Sequence, residues 1–269
     1  MQHFICAYCG TQYAASEAPP SECPICLDER KAGCPQPPDW TTLGEMTAHG
    51  YRNELRTLDQ GLTSIRTTPG FAIGQRAILI QTAAGNVLWD CVSYIDDDTV
   101  QKLRAMGGIA AVAISHPHYY ASMAQWSGAL GSVPIYICGA DRQWIMRPDP
   151  MIRLWEGHLE LMPGLTLVQC GGHFDGSAVL HWASGAAGLG VLLASDTMLI
   201  TGHGANIGFM RSYCNYIPLP PAAIRHIATM IKHYRFERIY GPCLHSVIPQ
   251  GGSSAVERSI ARYIARVQD

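Results

Sequence analysis

Four cysteines near the start of the chain constrain its fold more than any other feature. They form two Cys-x-x-Cys pairs, Cys6 with Cys9 and Cys23 with Cys26, and thirteen residues separate the pairs. This spacing is typical of two short hairpins that present four thiolates to one tetrahedral metal ion. Disulfide bonds or chance are the alternatives, but a segment with so few apolar residues has little means of folding without a bound ion. The sequence therefore predicts a structural Zn²⁺ site.

The composition is typical of a globular chain. Of 269 residues, 48% are apolar and 15% are charged, and no apolar stretch approaches the length of a membrane span. A formal net charge of −2 without a lysine or arginine block predicts no binding to nucleic acid. The first residues lack a basic segment followed by an apolar run, so we expect a cytoplasmic protein that does not bind membranes. Six further cysteines stand alone, as reduced thiols in the cytosol do: Cys34, Cys91, Cys138, Cys170, Cys214 and Cys243.

A proline-rich connector divides the chain near residue 40. Pro35, Pro37 and Pro38 favour an extended backbone at this point. We therefore predict a four-cysteine zinc-ribbon segment with its linker over residues 1–40 and a second domain over residues 41–269.

The second domain is predicted to belong to the α/β class. Period-2 and short apolar runs predict strands at 62–67, 77–82, 86–91, 109–115, 134–138, 165–169, 177–183 and 190–194. Capping residues and helical periodicity predict helices at 96–106, 119–130, 221–234 and 253–267. Two α/β halves, packed sheet against sheet with the helices outside, would satisfy this order.

Five potential ligands follow predicted strands. His116 and His118 flank a proline after the strand at 109–115, and His173, Asp196 and His245 each come just past a later strand. An isolated histidine is more often a hydrogen-bonded surface or core residue, and an aspartate there is more often a turn former. Their common placement at strand ends nevertheless predicts one metal centre, because ligands gather on such loops.

The order of these motifs resembles that of the metallo-β-lactamase-fold hydrolases over roughly residues 60–250. That superfamily has an αββα sandwich fold and a series of metal-binding motifs. The corresponding residues here are Asp90, His116, His118, His173, Asp196 and His245. The resemblance implies a metal-dependent hydrolase acting on a small-molecule substrate.

The chain departs from the family pattern at one loop. The family sequence continues from the two histidines with an Asp-His pair, whereas this chain has Tyr120 and Ala121. Two ligands of the second metal position are therefore missing. The resemblance implies a mononuclear Zn²⁺ site formed by His116, His118, His173 and Asp196, and leaves too few ligands for a second ion near His245.

The resemblance also implies a zinc-bound hydroxide as the nucleophile. We expect Asp196, Tyr120 and His245 to be catalytic residues: Tyr120 occupies the place of the missing aspartate and would hydrogen-bond the substrate or leaving group, and His245 would relay protons. Asp175 is a second candidate for relaying protons. Tyr120 has an alternative role, which is to fill the space of the absent second site. An ester, thioester, lactone or amide substrate suits one ion that polarises a carbonyl group. The sequence leaves open whether the chain forms a homo-oligomer.

Two other functions remain open at this stage. The pairs at Cys6–Gly10 and Cys23–Cys26 resemble those of rubredoxin, so iron is an alternative occupant and a rubredoxin-linked redox protein is an alternative function. A binding or scaffold protein with a degenerate metal site is the other alternative.

Overall fold

The structure is a computed structural model that describes residues 1–201 and 206–267. The chain divides into two compact units. The first comprises Met1–Ile137 and Arg142–Leu154, and the second comprises Cys138–Asp141 and Trp155–Asp269. The division predicted at residue 40 stays a prediction.

The N-terminal segment of the first unit has little regular structure. Its elements are β1 (Ile5–Cys6), α1 (Pro24–Leu27), β2 (Trp40–Thr41) and α2 (Leu43–Ala48). β1 pairs antiparallel with β2. Thr42 and Glu45 form a capping box at the start of α2, in which each side chain accepts a hydrogen bond from the other residue's backbone. The buried apolar residues of this segment form two small clusters, one around the four cysteines and Ile25 and one around Ile5 and Met46.

A seven-stranded sheet forms the centre of the first unit. Its strands, in the order they take across the sheet, are β3 (Arg52–Asp59), β4 (Leu62–Thr68), β5 (Arg76–Thr82), β6 (Gly85–Trp89), β7 (Ala111–Ala113), β8 (Ile135–Cys138) and β9 (Ile152–Trp155). The strands from β3 to β6 form an antiparallel meander, and β6, β7 and β8 run parallel to one another. The apolar residues of β5 and β6 are buried, which explains their unbroken hydrophobic runs.

Two helices accompany this sheet. α3 (Asp97–Ala105) begins at Asp96, whose side chain accepts a hydrogen bond from the backbone N–H of Thr99 at 2.6 Å. α4 (Met123–Ala129) covers only part of the helix predicted over 119–130. That prediction was wrong at its start, because Ala121 has a φ of 42° and interrupts the helix.

A six-stranded sheet forms the centre of the second unit. In their order across the sheet the strands are β10 (His158–Met162), β11 (Leu165–Gln169), β12 (Ala178–Trp182), β13 (Val191–Leu193), β18 (Arg238–Tyr240) and β19 (Val247–Ile248). Two hairpins lie between β13 and β18 in the sequence: β14 (Leu199–Thr201) with β15 (Asn206–Gly208), and β16 (Met210–Ser212) with β17 (Ile217–Pro218). β13 and β18 are parallel, and the other pairs in the sheet are antiparallel.

The helices of this unit are α5 (Gly185–Gly188), α6 (Pro221–Ile231) and α7 (Gly252–Val267). α5 is a short turn. Ile224 and Ile227 of α6 and Val256 of α7 belong to the same buried cluster as Val168 and Leu192 of the sheet. The apolar stripes of both long helices thus cover the sheet, as their periodicity predicted.

Most of the predicted elements are present, with ends that differ by a few residues. Beyond residue 41, the elements that were not predicted are α2, β3, β9, β10, α5, β14 to β17 and β19. Among the described residues, no helix has both the length and the apolar character that crossing a membrane requires.

Candidate metal centres

The four N-terminal cysteines form a compact buried cluster. Sγ of Cys6 lies 3.6 Å from Sγ of Cys26, and Sγ of Cys9 lies 3.6 Å from Sγ of Cys23. All four sulfurs lie within 4.8 Å of one another. Zn–S bonds of about 2.3 Å in a tetrahedron place sulfurs roughly 3.8 Å apart, so this spacing fits one ion. No disulfide joins any of the ten cysteines, all of which lie in the described part of the chain, and the disulfide alternative is thereby excluded.

Tyr13 adds a hydrogen bond to this cluster. Its hydroxyl donates to Sγ of Cys23 at 3.1 Å. Burial, followed by the contact with Cys23, raises the pKa of Tyr13, so the phenol keeps its proton and remains a donor. A neutral donor suits a negatively charged sulfur.

The four thiols also shift one another's pKa values in opposite directions. The pKa of Cys23 is lowered because Cys26, Cys6 and Cys9 hydrogen-bond to its sulfur, and the pKa of Cys26 is raised because its proton is held by Cys23. The buried sulfurs therefore share protons instead of ionising together. A divalent cation would remove this constraint by neutralising the thiolates.

His116 and His118 lie close together after β7. The chain leaves β7 at Ala113 and enters a 3₁₀ turn over Pro117–Tyr119. The imidazoles of His116 and His118 are 2% and 4% exposed, and their ring centroids lie 5.2 Å apart. The proline between them restricts the backbone, so two potential nitrogen ligands leave one stiff turn.

Asp90 positions this turn from the end of β6. Its Oδ1 accepts a hydrogen bond from the backbone N–H of Ser115 at 2.8 Å, and Oγ of Ser115 lies 2.9 Å from Nδ1 of His116. Asp90 has a φ of 63°, a conformation that aspartate adopts more readily than most residues. Asp90 thus acts on His116 through Ser115.

In the second unit, the structure brings His173 next to Asp196. His173 follows β11 and a Gly-Gly pair, and Asp196 lies in a 3₁₀ turn over Ser195–Thr197 after β13. Nε2 of His173 is 3.8 Å from Oδ2 of Asp196, and the two side chains are 2% and 16% exposed. Nδ1 of His173 lies 2.7 Å from the carbonyl oxygen of Arg211, which fixes the proton on Nδ1 and leaves Nε2 as the ligand atom.

Tyr213 supports the turn that carries Asp196. Its hydroxyl donates to the backbone carbonyl of Asp196 at 2.5 Å, and its ring lies 5.4 Å from that of His173. Burial, and then the negative charge of Asp196, raises the pKa of Tyr213. The phenol therefore stays protonated and keeps this hydrogen bond at neutral pH.

The remaining predicted site residues have different surroundings. Tyr120 is 1% exposed and belongs to the main hydrophobic core of the first unit. His245 lies on the loop between β18 and β19 and is exposed, as is Asp175 in the turn after His173. Within the described residues, neither joins a group of potential metal ligands.

Sequence reasoning missed the residues that orient the candidate ligands. These are Tyr13, Ser115, Arg211 and Tyr213. Only Ser115 carried a usable signal, since it directly precedes His116 at a strand end. Tyr13, Arg211 and Tyr213 contact residues that lie 10 or more positions away in the sequence, so no local pattern indicates these contacts.

Comparison with known proteins identifies one close relative. No protein-family model matches the chain. The uncharacterized protein YmaE of Bacillus subtilis is 43% identical over 266 residues, which is 98% of this chain and 96% of YmaE.

Solved structures show the fold. VMB-1 superposes with a TM-score of 0.59 at 12% identity, covering 80% of this chain and 98% of its own. The metallo-β-lactamase DIM-1 superposes with a TM-score of 0.58 at 8% identity, covering 78% of this chain and 96% of DIM-1. The mono-zinc form of the metallo-β-lactamase FIM-1 from Pseudomonas aeruginosa superposes with a TM-score of 0.55 at 13% identity, covering 80% of this chain and 95% of FIM-1. These likenesses confirm the predicted fold class, an α/β fold of the metallo-β-lactamase type.

Proposed function

Because this chain belongs to the same family as YmaE and has the metallo-β-lactamase fold, we propose that it is a metal-dependent hydrolase with one catalytic ion. The ligands in this proposal are His116, His118, His173 and Asp196. One observation carries it: within the second unit, Nε2 of His173 lies 3.8 Å from Oδ2 of Asp196, a separation at which both atoms can bind one ion.

The donors suit Zn²⁺. Three imidazoles and one carboxylate are borderline and hard ligands of the kind that zinc accepts in tetrahedral sites. The contact between His173 and the Arg211 carbonyl resembles the outer hydrogen bond that metal-binding histidines usually make.

Zinc bound there would supply hydroxide at neutral pH and polarise the substrate carbonyl. The side chains of this chain would hold the geometry. Asp90 and Ser115 would orient His116, and Tyr213 would fix the turn of Asp196. His245, on the loop between β18 and β19, is the residue proposed for proton transfer.

The substrate class follows from the ligand set. One ion with one water suits attack on the carbonyl group of a small-molecule ester, thioester, lactone or amide. Phosphodiesters usually require two metal ions, and Tyr120 and Ala121 occupy the positions of two second-site ligands. The deep burial of Tyr120 favours the space-filling role over a catalytic one.

We assign the four cysteines to a second, structural Zn²⁺ ion, with iron as the alternative occupant. The absence of disulfides among ten cysteines supports a cytoplasmic location for the protein.

Metal analysis together with assays on a panel of esters and thioesters tests the proposal. The purified protein should contain about two zinc ions per chain. Cys6→Ser and His116→Ala should each lose one ion, and His116→Ala should also abolish hydrolysis. His226 on α6 is exposed, so His226→Ala is the matched control and should keep both ions. Hydrolysis that survives in His116→Ala would refute the proposed mechanism, and a red iron-loaded protein would favour the redox function.

A further inference from the structure

One buried side chain connects the four-cysteine segment to the loop of His116 and His118. Gln75, just before β5, is 5% exposed. Its Nε2 donates to the backbone carbonyl of Cys9 at 2.6 Å and to that of His118 at 3.1 Å. An amide nitrogen has two hydrogens, so it can serve both carbonyls. Gln75 therefore bonds to a residue of each predicted ligand set.

Further hydrogen bonds join the same two regions. The backbone N–H of Gln12 donates to the carbonyl of Ala121 at 2.9 Å. Oγ of Ser93 donates to the carbonyl of Gly10 at 2.8 Å, and Oγ of Ser122 donates to the carbonyl of Ser93 at 2.7 Å. Together these bonds hold the cysteine segment onto the turn that carries the histidines.

The close approach at Gly10 shows how tightly the regions fit. A Cβ atom at Gly10 would lie 2.3 Å from Oγ of Ser93 and 2.8 Å from Nε2 of Gln75. Gly10 also has a φ of 78°. Glycine is therefore required both by the backbone conformation and by the approach of Gln75.

The carbonyl of Cys9 has a fixed position only while the cysteine segment is folded, and an ion bound by its four buried cysteines would stabilise that fold. An ordered Cys9 carbonyl would hold Gln75, and Gln75 would hold the carbonyl of His118. We propose that Gln75 is a positioning residue through which occupancy of the four-cysteine site strengthens metal binding at His116 and His118. This inference rests on the proposed function, because it requires an ion at the histidines. By linkage, an ion at the histidines strengthens binding at the cysteines by the same factor.

A double-mutant cycle on the full-length protein tests this coupling. The measured quantity is the dissociation constant of Zn²⁺ at the histidine site, obtained by competition with a chromophoric chelator. The four proteins are the wild type, Gln75→Met, Cys6→Ser and the chain with both substitutions. Gln81→Met is the matched control, since Nε2 of Gln81 donates to the carbonyl of Met106 at 3.1 Å, away from both sets of ligands.

We expect Gln75→Met and Cys6→Ser each to weaken zinc binding at the histidines roughly tenfold, with little further loss in the double variant. Gln81→Met should bind like the wild type. Wild-type affinity in Gln75→Met, or a double variant weakened by the product of the two single effects, would overturn the inference. A wild-type chain that binds zinc only at the cysteines would instead overturn the proposed function.

A second pair of variants covers the case in which Cys6→Ser does not fold. Ser93→Ala keeps every cysteine and removes the hydrogen bond to Gly10. It should weaken zinc binding at the histidines about threefold. Ser127→Ala removes a comparable buried hydrogen bond, to Val133, and should have no effect. Equal affinities in these two variants would also overturn the inference.

Discussion

Nε2 of His173 faces Oδ2 of Asp196 across 3.8 Å. This distance is too long for a hydrogen bond but short enough for both atoms to bind one ion. The pair lies within a single unit, on two loops that follow β11 and β13. The sequence alone had placed both residues just past strand ends.

Asp196→Asn should weaken zinc binding at the histidine site at least tenfold, because it removes the only negative charge from the proposed ligand set. Metal analysis after dialysis against a chelator measures the loss. Asp175→Asn changes an exposed carboxylate in the same unit and should retain the ion. Equal zinc content in the two variants would exclude Asp196 as a ligand.

Tyr13→Phe should release the cysteine-bound ion about five to ten times faster, because it removes a hydrogen bond worth about 1 kcal/mol from Cys23. The rate of zinc transfer to a chromophoric chelator measures this. Tyr8, which lies at the edge of the same cluster, provides the control variant Tyr8→Phe. Identical release rates in the two variants would show that the Tyr13 hydroxyl does not stabilise the bound state.

His181 should make the protein less stable in acid. Burial lowers its pKa, although its Nε2 contacts the carbonyl of Arg235 at 2.8 Å. Between this lowered pKa and the ordinary value near 6.5, the unfolded chain binds more protons than the folded one. The contribution of His181 is therefore complete above about pH 6.5 and is lost as the pH falls.

Denaturation midpoints at pH 8 and pH 5 test this expectation. His181→Gln should lose less stability between the two values than the wild type, whereas the exposed control His226→Gln should behave like the wild type. Acid sensitivity caused by other groups is common to all three proteins and does not affect the comparison. Parallel curves for His181→Gln and the wild type would contradict the prediction.

The candidate ligands could be identified from the sequence because ligands collect at strand ends, and strands such as β7 and β13 have clear apolar sequences. The contacts of Gln75 and Arg211 could not, since each joins residues that are distant in the sequence. β3 was missed for another reason. It is an edge strand with mostly exposed or half-buried side chains, so it lacks the hydrophobic pattern that identifies a strand.

The break at Ala121 illustrates a different limit. Alanine favours helices, so the sequence predicted one helix through this position. In the structure its carbonyl accepts a hydrogen bond from Gln12, and its φ is 42°. A tertiary contact thus overrides the helix preference of alanine. The preceding residue, Tyr120, packs in the core and is not part of a helix.

Two variants of Tyr120 distinguish the two roles considered for it, catalysis and the filling of space in the core. At 1% exposure, its ring should contribute mainly by packing, so Tyr120→Ala should lower the free energy of unfolding by about 3 to 5 kcal/mol. Tyr120→Phe keeps the ring, and we expect kcat to stay within about threefold of the wild type, because general acid–base catalysis would be worth at least a hundredfold. The two variants therefore distinguish a role of Tyr120 in stability from a role in catalysis. A hundredfold fall in kcat for Tyr120→Phe, with an unchanged unfolding midpoint and zinc content, would instead show that the hydroxyl takes part in the reaction.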